Sequence, residues 1–193
     1  MLDYGVFALS AFMAQILTNL DNLAALLALV LVTGPRRSVF GFLVAQFIVI
    51  GAAFLLALGV GDVIPHWAGY LGIVPLSLGL VGVVRQFRSA PSEAEPTVQA
   101  GGSTIVISML FVSLSMDTFA VLGPLFADSA PGFRLAGLFG ASAAAIGLAI
   151  VALLGSKVPF ITGGLARKLE RLVPYVMICA GLYILSNSWT DAI

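Results

Sequence analysis

Charge is the scarcest property of this 193-residue sequence. Asp, Glu, Lys and Arg together make up 9% of the residues, whereas 60% are hydrophobic and the mean hydropathy is +1.10. Soluble domains carry about 25% charged residues, so this composition excludes a soluble domain and is typical of a protein embedded in the lipid bilayer. The net charge is zero, and we expect no nucleic-acid partner.

Cysteine and the common catalytic motifs are equally scarce. Cys179 is the only cysteine, which excludes an intrachain disulfide and a thiol relay, and we expect it to be a small buried residue. A phosphate-binding loop, zinc-ligand spacing and a nucleophile motif are absent from the sequence, so we expect neither an enzyme nor a bound cofactor. The first apolar run lacks the basic start and the cleavage site of a signal peptide, and we expect it to stay in the mature protein.

The sequence consists largely of long apolar runs. A helix needs about 20 apolar residues to cross about 30 Å of hydrocarbon. The alternating pattern of a β-barrel is absent, and helices are the other structure that satisfies every backbone group in lipid. We therefore predict an all-helical membrane protein with six transmembrane helices. The predicted spans are 4–32, 38–60, 67–87, 103–127, 133–155 and 172–190.

The basic residues fall almost entirely on one side of this topology. The connections after the first, third and fifth spans contain eight of them, and the opposite side contains only Arg134. Basic connections stay in the cytoplasm, so both termini are predicted to face outside. The eight residues are Arg36, Arg37, Arg85, Arg88, Lys157, Arg167, Lys168 and Arg171.

One stretch reads as a linker and divides the chain into two halves. Residues 88–103 are rich in Pro, Ser, Gly and Glu and lack an apolar period, which is typical of a flexible connection. The halves are 1–87 and 104–193, each with three predicted helices. The linker is predicted to lie in the cytoplasm.

The two halves align with each other at an offset of 96 residues. This offset pairs Asp21 with Asp117, and it pairs four of the six glycines between positions 5 and 61 with another glycine. We interpret the halves as an internal repeat. Because each half has an odd number of helices, the second copy enters the membrane from the opposite side. Inverted repeats are typical of secondary transporters with alternating access, and the alternative is an old duplication in a structural membrane protein.

Two acidic residues lie well inside predicted spans, and the repeat makes them equivalent. Asp21 and Asp117 would each cost about 2.5 to 3.5 kcal/mol at that depth, so each should face a partner, a cavity or a pathway. Hydroxyl and amide side chains lie near both at helical spacing. The candidate metal ligands are Asp21, Asp117, Asn22, Thr18, Asn19, Ser113 and Thr118, with Gln46, Ser142 and Pro124 as additional candidates.

These side chains favour a cation as the ligand. Two carboxylates neutralise one divalent ion, and hard oxygen ligands suit Mn²⁺, Mg²⁺ or Ca²⁺. An organic anion would need a buried Lys or Arg, which no span contains away from its ends. Two adjacent carboxylates in a low-dielectric site cannot both ionise cheaply, so we expect a proton there that the metal displaces. Alternatively, the protonated carboxyls only join the two halves.

An intramembrane aspartyl protease also uses two carboxyl groups within the membrane. The GxGD segment of such a protease is absent around Asp117.

Two proline- and glycine-related features remain open. Pro124 is expected either to kink the fourth span, freeing carbonyl oxygens toward the site, or to lie near a helix end. Gly137, Ala141 and Ala145 share one face of the fifth span, which allows a close helix approach. That approach would lie within one chain or between the subunits of a homodimer.

Three segments resemble a known family, and they occur in the same order. "TNLDNLAALLALV" (18–30), "GYLGIVPLSLGLVGV" (69–83) and "DTFAVLGPLFA" (117–127) resemble signature segments of the cadmium-resistance transporters of the LysE superfamily. The second motif departs from that pattern, because Asp117 is followed by Thr118 rather than by Asn. Instead, "SMDTFA" (115–120) resembles the repeated motif of bacterial manganese-efflux proteins of the same superfamily.

The resemblance implies an exporter of Cd²⁺ or Mn²⁺ in the bacterial inner membrane, driven by proton entry. It also implies functional roles for Asp21 and Asn22 in the first motif and for Asp117 and Pro124 in the second. The alternative is an exporter of amino acids or other small organic solutes from the same superfamily. Such an exporter would need a group for the substrate carboxylate, such as the N-terminus of a broken helix.

Overall fold

The structure is a computed structural model that describes residues 2–63, 70–87, 103–155 and 173–188. These residues are helical apart from short turns and caps and contain no strand, which confirms an all-helical protein for this part of the chain. Most of the predicted linker lies outside the described residues. The helices are α1 (Leu2–Thr18), α2 (Leu20–Thr33), α3 (Pro35–Val63), α4 (Ile73–Phe87), α5 (Thr104–Leu114), α6 (Met116–Ala127), α7 (Pro131–Gly155) and α8 (Val173–Ser188).

The long apolar helices indicate a membrane protein. Within the described ranges, α3 and α7 are each long and apolar enough to cross a bilayer. The pairs α1–α2 and α5–α6 reach the necessary length together, but they bend by 58° and 61°. The described residues therefore contain two to four candidate spans. The apolar helices at Tyr70–Val84 and Met177–Ser186 are shorter, and six spans stay a prediction.

The two bends lie at positions that correspond at the sequence offset of 96 residues. Asn19 separates α1 from α2, and Ser115 separates α5 from α6, so the bends are 96 residues apart. Their backbone angles are similar, with φ −115° and ψ 20° at Asn19 and φ −97° and ψ 21° at Ser115. Pro124 does not produce the second bend. Helix α6 continues through Pro124 and ends three residues later at Ala127, which agrees with the helix-end alternative.

Helices from the two halves pack against each other. Helix α1 lies along α7, α3 lies along α5 and α6, and α4 packs on α8. A Cβ placed on Gly140 would collide with the backbone of Ala8, and one on Gly137 would lie 2.8 Å from the Phe7 ring. The small residues of α7 therefore allow close packing within one chain.

Cys179 is exposed, so the expectation of a buried cysteine is wrong. Cys179 is exposed because a different side of α8 packs against α4. Gly181 and Ile184 are buried, and a Cβ on Gly181 would lie 2.6 Å from the Leu76 backbone nitrogen. At 100° per residue, Cys179 falls on a different side of α8 from this packed face.

Gly34 forms the turn between α2 and α3, and its conformation leads to a stability prediction. Its φ of +92° and ψ of 153° lie in a region that L side chains rarely adopt, while a Cβ there would meet no atom within 4 Å. We expect Gly34→Ala to destabilise the fold by about 1 to 3 kcal/mol through backbone strain alone. Gly51 is helical and also has open space around it, so Gly51→Ala is the matched control and should not destabilise. Thermal unfolding in detergent gives the melting temperature of each variant. Equal melting temperatures for Gly34→Ala and Gly51→Ala would contradict the prediction.

Candidate functional site

Seven neutral polar side chains meet where the two bends approach each other. All seven are completely buried. Burying such groups is costly unless they form hydrogen bonds, so their concentration at one place indicates a specific arrangement. We call this group the polar cluster. Its members are Gln15, Thr18, Asn19, Asn22, Gln46, Ser115 and Thr118.

Two reciprocal hydrogen bonds join the bends. The Asn19 Nδ2 donates to the Thr118 Oγ1 at 2.8 Å, and the Asn22 Nδ2 donates to the Ser115 Oγ at 3.0 Å. At the offset of 96, Asn19 corresponds to Ser115 and Asn22 corresponds to Thr118. The bond between Asn19 and Thr118 therefore corresponds to the bond between Ser115 and Asn22 when each residue is replaced by its equivalent in the other half. The Thr118 hydroxyl in turn donates to the Thr18 Oγ1 at 3.0 Å.

Asp21 and Asp117 lie in the first turns of α2 and α6, respectively. The Oδ1 of Asp21 accepts the Asn22 backbone N–H at 2.8 Å, and the Oδ1 of Asp117 accepts the Thr118 backbone N–H at 2.7 Å. A helix N-terminus stabilises negative charge, which offsets part of the cost of holding each carboxylate away from bulk water. They are also close enough for their charges to repel each other. Each half thus contributes one carboxylate to the same region.

The orientation of the Asn22 amide follows from a backbone carbonyl. The Asn19 Nδ2 donates to the Gln15 carbonyl oxygen at 2.9 Å, and a carbonyl can only accept. The Asn19 Oδ1 therefore accepts from the Asn22 Nδ2 at 2.7 Å, which leaves the Asn22 Oδ1 on the opposite side of that amide. This oxygen is buried and accepts no hydrogen bond from any described residue. A buried acceptor without a donor costs about 1 to 3 kcal/mol, and a cation would satisfy it.

Two glutamines extend the polar cluster from one side. The Gln15 Nε2 donates to the Gln46 Oε1 at 2.7 Å, and the Gln46 Nε2 donates to the Ser115 Oγ at 3.0 Å. The Gln15 Oε1 is a second buried oxygen that accepts no bond within the described part of the chain. Sequence reasoning missed Gln15, although it lies one helical turn before Thr18 and Asn19 in an apolar span.

Three of the neutral predicted ligands lie outside the polar cluster. Ser113 is exposed, its hydroxyl donates to the Leu110 carbonyl at 2.7 Å, and it lines a crevice between α3 and α5. Ser142 is half-buried on α7, and no hydrogen bond between described residues connects it to the cluster. Pro124 is buried seven residues after Asp117. Ser113 was predicted from the i, i+4 spacing of a straight helix, and the bend at Ser115 breaks that relation.

The described residues contain no group of three or more His, Cys, Asp or Glu side chains that could hold a metal. An ion at this site would therefore bind two carboxylates together with neutral oxygens. Comparisons of the chain with protein-family models, curated proteins and solved structures gave no match. The resemblance to metal exporters stays a prediction.

Ser115 provides a test of the polar cluster. Its Oγ accepts two N–H groups, from Gln46 and Asn22, so both of its lone pairs are used and it positions other side chains. Ser115→Ala would leave two buried donors without an acceptor, and we expect it to destabilise the fold by about 2 to 5 kcal/mol. Ser113→Ala is the matched control, because the exposed Ser113 bonds only within its own helix. If both variants melt at the wild-type temperature in detergent, the role given to Ser115 is wrong.

Proposed function

We propose that this chain is a secondary transporter that exports a divalent metal cation, Cd²⁺ or Mn²⁺, across the bacterial inner membrane by proton antiport. The observation that carries the proposal is that Asp21 and Asp117, one from each half, are near enough for their charges to interact, and that Asn22, the residue after Asp21, has a buried oxygen that accepts no hydrogen bond from the described residues. Two carboxylates neutralise one divalent ion, and an amide oxygen is a hard neutral ligand.

The remaining ligands are neutral oxygens of the polar cluster. The Thr118 Oγ1 donates one hydrogen bond and accepts one, and the Asn19 Oδ1 accepts one, so each retains a lone pair for an ion. Thr18 holds the Thr118 hydroxyl in place. Gln46 lies farther out and acts through Ser115. The proposed ligand set is Asp21, Asp117, Asn22, Asn19 and Thr118.

An inverted repeat with six spans accounts for the symmetry of this site. The bends at Asn19 and Ser115, the two carboxylates and the reciprocal hydrogen bonds all follow the same offset of 96 residues, which supports equivalent halves at 1–87 and 104–193. In this arrangement α4 and α8 belong to the third span of each half. The linker 88–103 lies in the cytoplasm and both termini lie outside. Broken helices at the interface of inverted repeats are typical of transport sites.

Proton exchange gives the transport cycle its driving force. Two adjacent carboxylates away from bulk water cannot both remain charged cheaply, so the metal-free site takes up protons. A cytoplasmic ion displaces them, the two halves rock, and protons from outside release the ion. For the site to open to the other side of the membrane, the two bends must move relative to each other. The reciprocal hydrogen bonds hold these bends together.

A small organic solute such as an amino acid is the second candidate substrate. The N-termini of α2 and α6 both reach the site, and such ends bind substrate carboxylates in other transporters. However, Asp21 and Asp117 already accept N–H groups of these first turns. A substrate carboxylate would meet two negative charges there, so the geometry favours a cation.

Flux measurements in proteoliposomes test the proposal. We expect the wild-type protein to move Cd²⁺ or Mn²⁺, with Zn²⁺ and Ca²⁺ as comparison ions, and to move protons in the opposite direction. A metal indicator and a pH-sensitive dye inside the vesicles report the two fluxes. Uptake of an amino acid without flux of any of the four metals would overturn metal export and favour the second candidate.

A further inference from the structure

An apolar crevice of about 570 Å³ lies between α3 and α5 on the surface of the helix bundle. Phe40, Val44 and Ile48 line it from α3, and Met109 and Met116 are among the residues that line it from α5 and the start of α6. All of these except Val44 have more than half of their surface exposed. In a bilayer, a surface of this kind is in contact with lipid chains.

Two arginines lie at one end of this crevice. Arg36 precedes Phe40, Val44 and Ile48 at the same spacing of four, which puts all of them on one face of α3. Arg36 and the adjacent Arg37 are exposed in the first turn of the helix. The crevice therefore has a long apolar body and a positively charged end.

The start of α5 lies next to this charged end. A Cβ on Gly41, in the second turn of α3, would lie 2.7 Å from the Ile107 side chain and 3.2 Å from the Thr104 carbonyl oxygen. The second turn of α3 thus lies against the first turn of α5, and the first turn of α3 precedes this contact. The charged group of a ligand bound there would lie at the end of both helices, while its apolar part follows the crevice.

Among the described residues, the equivalent positions of the other half have neither the crevice nor the arginine pair, and the nearby Arg134 is buried and donates to the backbone carbonyls of Ser129 and Ala127. At the offset of 96, Gly132 and Phe133 replace the two arginines, and Gly140 replaces Val44. Helix α1 packs directly on α7 at Gly140, and the Tyr4 and Phe133 rings lie 4.5 Å apart where the charged end would be. The crevice and the arginine pair therefore occur together in one half and are both absent from the other.

We propose that this crevice binds an anionic phospholipid, with an acyl chain along α3 and its phosphate group paired with Arg36 and Arg37. Guanidinium groups bind phosphate oxygens in a bidentate manner, and basic residues at a membrane surface attract anionic headgroups. A zwitterionic lipid would fill the same crevice but gain less from the arginines. The proposal does not depend on the transported substrate.

Native mass spectrometry of the detergent-solubilised protein tests this site with phosphatidylglycerol and phosphatidylcholine that have identical acyl chains. We expect wild-type protein to retain phosphatidylglycerol preferentially. The preference of the double variant Arg36→Gln/Arg37→Gln should be about 25-fold lower, because each basic residue at an anionic surface raises the affinity for an anionic lipid about fivefold. Arg36→Lys/Arg37→Lys is the conservative control and should keep most of the preference.

A second pair of variants tests the crevice itself. Ile48→Trp fills it and should reduce retention of both lipids, whereas Leu55→Trp changes a residue exposed on the same helix outside the crevice and should not. Equal retention of both lipids by the wild type, or an unchanged preference in the glutamine variant, would overturn the proposal. If the glutamine variant does not fold, unchanged retention by Ile48→Trp overturns it alone.

Discussion

Asp21→Asn and Asp117→Asn are each expected to reduce metal transport by about a hundredfold or more. Asn keeps the shape and one oxygen of the carboxyl group but removes one of the two charges that neutralise the ion. Because the two residues occupy equivalent first turns and accept equivalent backbone N–H groups, the two losses should be similar. Metal flux into proteoliposomes, normalised to the amount of reconstituted protein, measures the effect.

Asp3→Asn is the matched control for these variants. Asp3 is also in the first turn of a helix, α1, but it is exposed and lies outside the polar cluster. We expect its transport rate to equal that of the wild type. Wild-type transport by either of the other two variants would contradict the site, and loss in only one of them would contradict the equivalence of the two halves.

Gly140→Val should prevent recovery of folded protein. A Cβ at this position would overlap the backbone of Ala8, whose carbonyl carbon would be 2.8 Å away and whose Cα would be 3.1 Å away. Backbone atoms cannot swing aside as a flexible side chain can, so α1 would have to move off α7. We expect a cost of about 3 kcal/mol or more, at the upper end of overpacking effects.

Gly147→Val provides the comparison within the same helix. Gly147 lies seven residues after Gly140 on α7, and a Cβ there would meet no atom within 4 Å. This variant should be monodisperse in size-exclusion chromatography and should melt near the wild-type temperature. If the two variants behave alike, the close approach of α1 to α7 is not what makes Gly140 necessary.

The positions of the long helices could be predicted because lipid imposes them on the sequence. The predicted spans 38–60 and 133–155 lie within α3 (Pro35–Val63) and α7 (Pro131–Gly155). The bends could not be read from hydropathy, since the apolar runs continue through them. The available signal was local: Asn19 precedes Asp21, and Ser115 precedes Asp117, each as a capping residue followed by an acid in the first helical turn.

The sequence alignment of the two halves explains both which site residues were predicted and which were missed. Pairing equivalent positions identified Asp21 and Asp117, which lie within electrostatic range of each other in the structure. Gln15 was missed because its equivalent is Phe111, an apolar residue whose ring packs 5.2 Å from that of Phe42. A residue present in only one half gives no repeat signal, and its role becomes visible only through its hydrogen bond to Gln46.

The number of divalent ions bound per chain at equilibrium tests the central claim most directly. Isothermal titration of the solubilised protein with Mn²⁺ and Cd²⁺, in buffers of different ionisation enthalpy, gives both this number and the protons released. We predict that the wild type binds one ion per chain with proton release, and that the Asp21→Asn/Asp117→Asn double variant binds none. Binding of one ion per chain by that double variant would contradict a site between the two carboxylates.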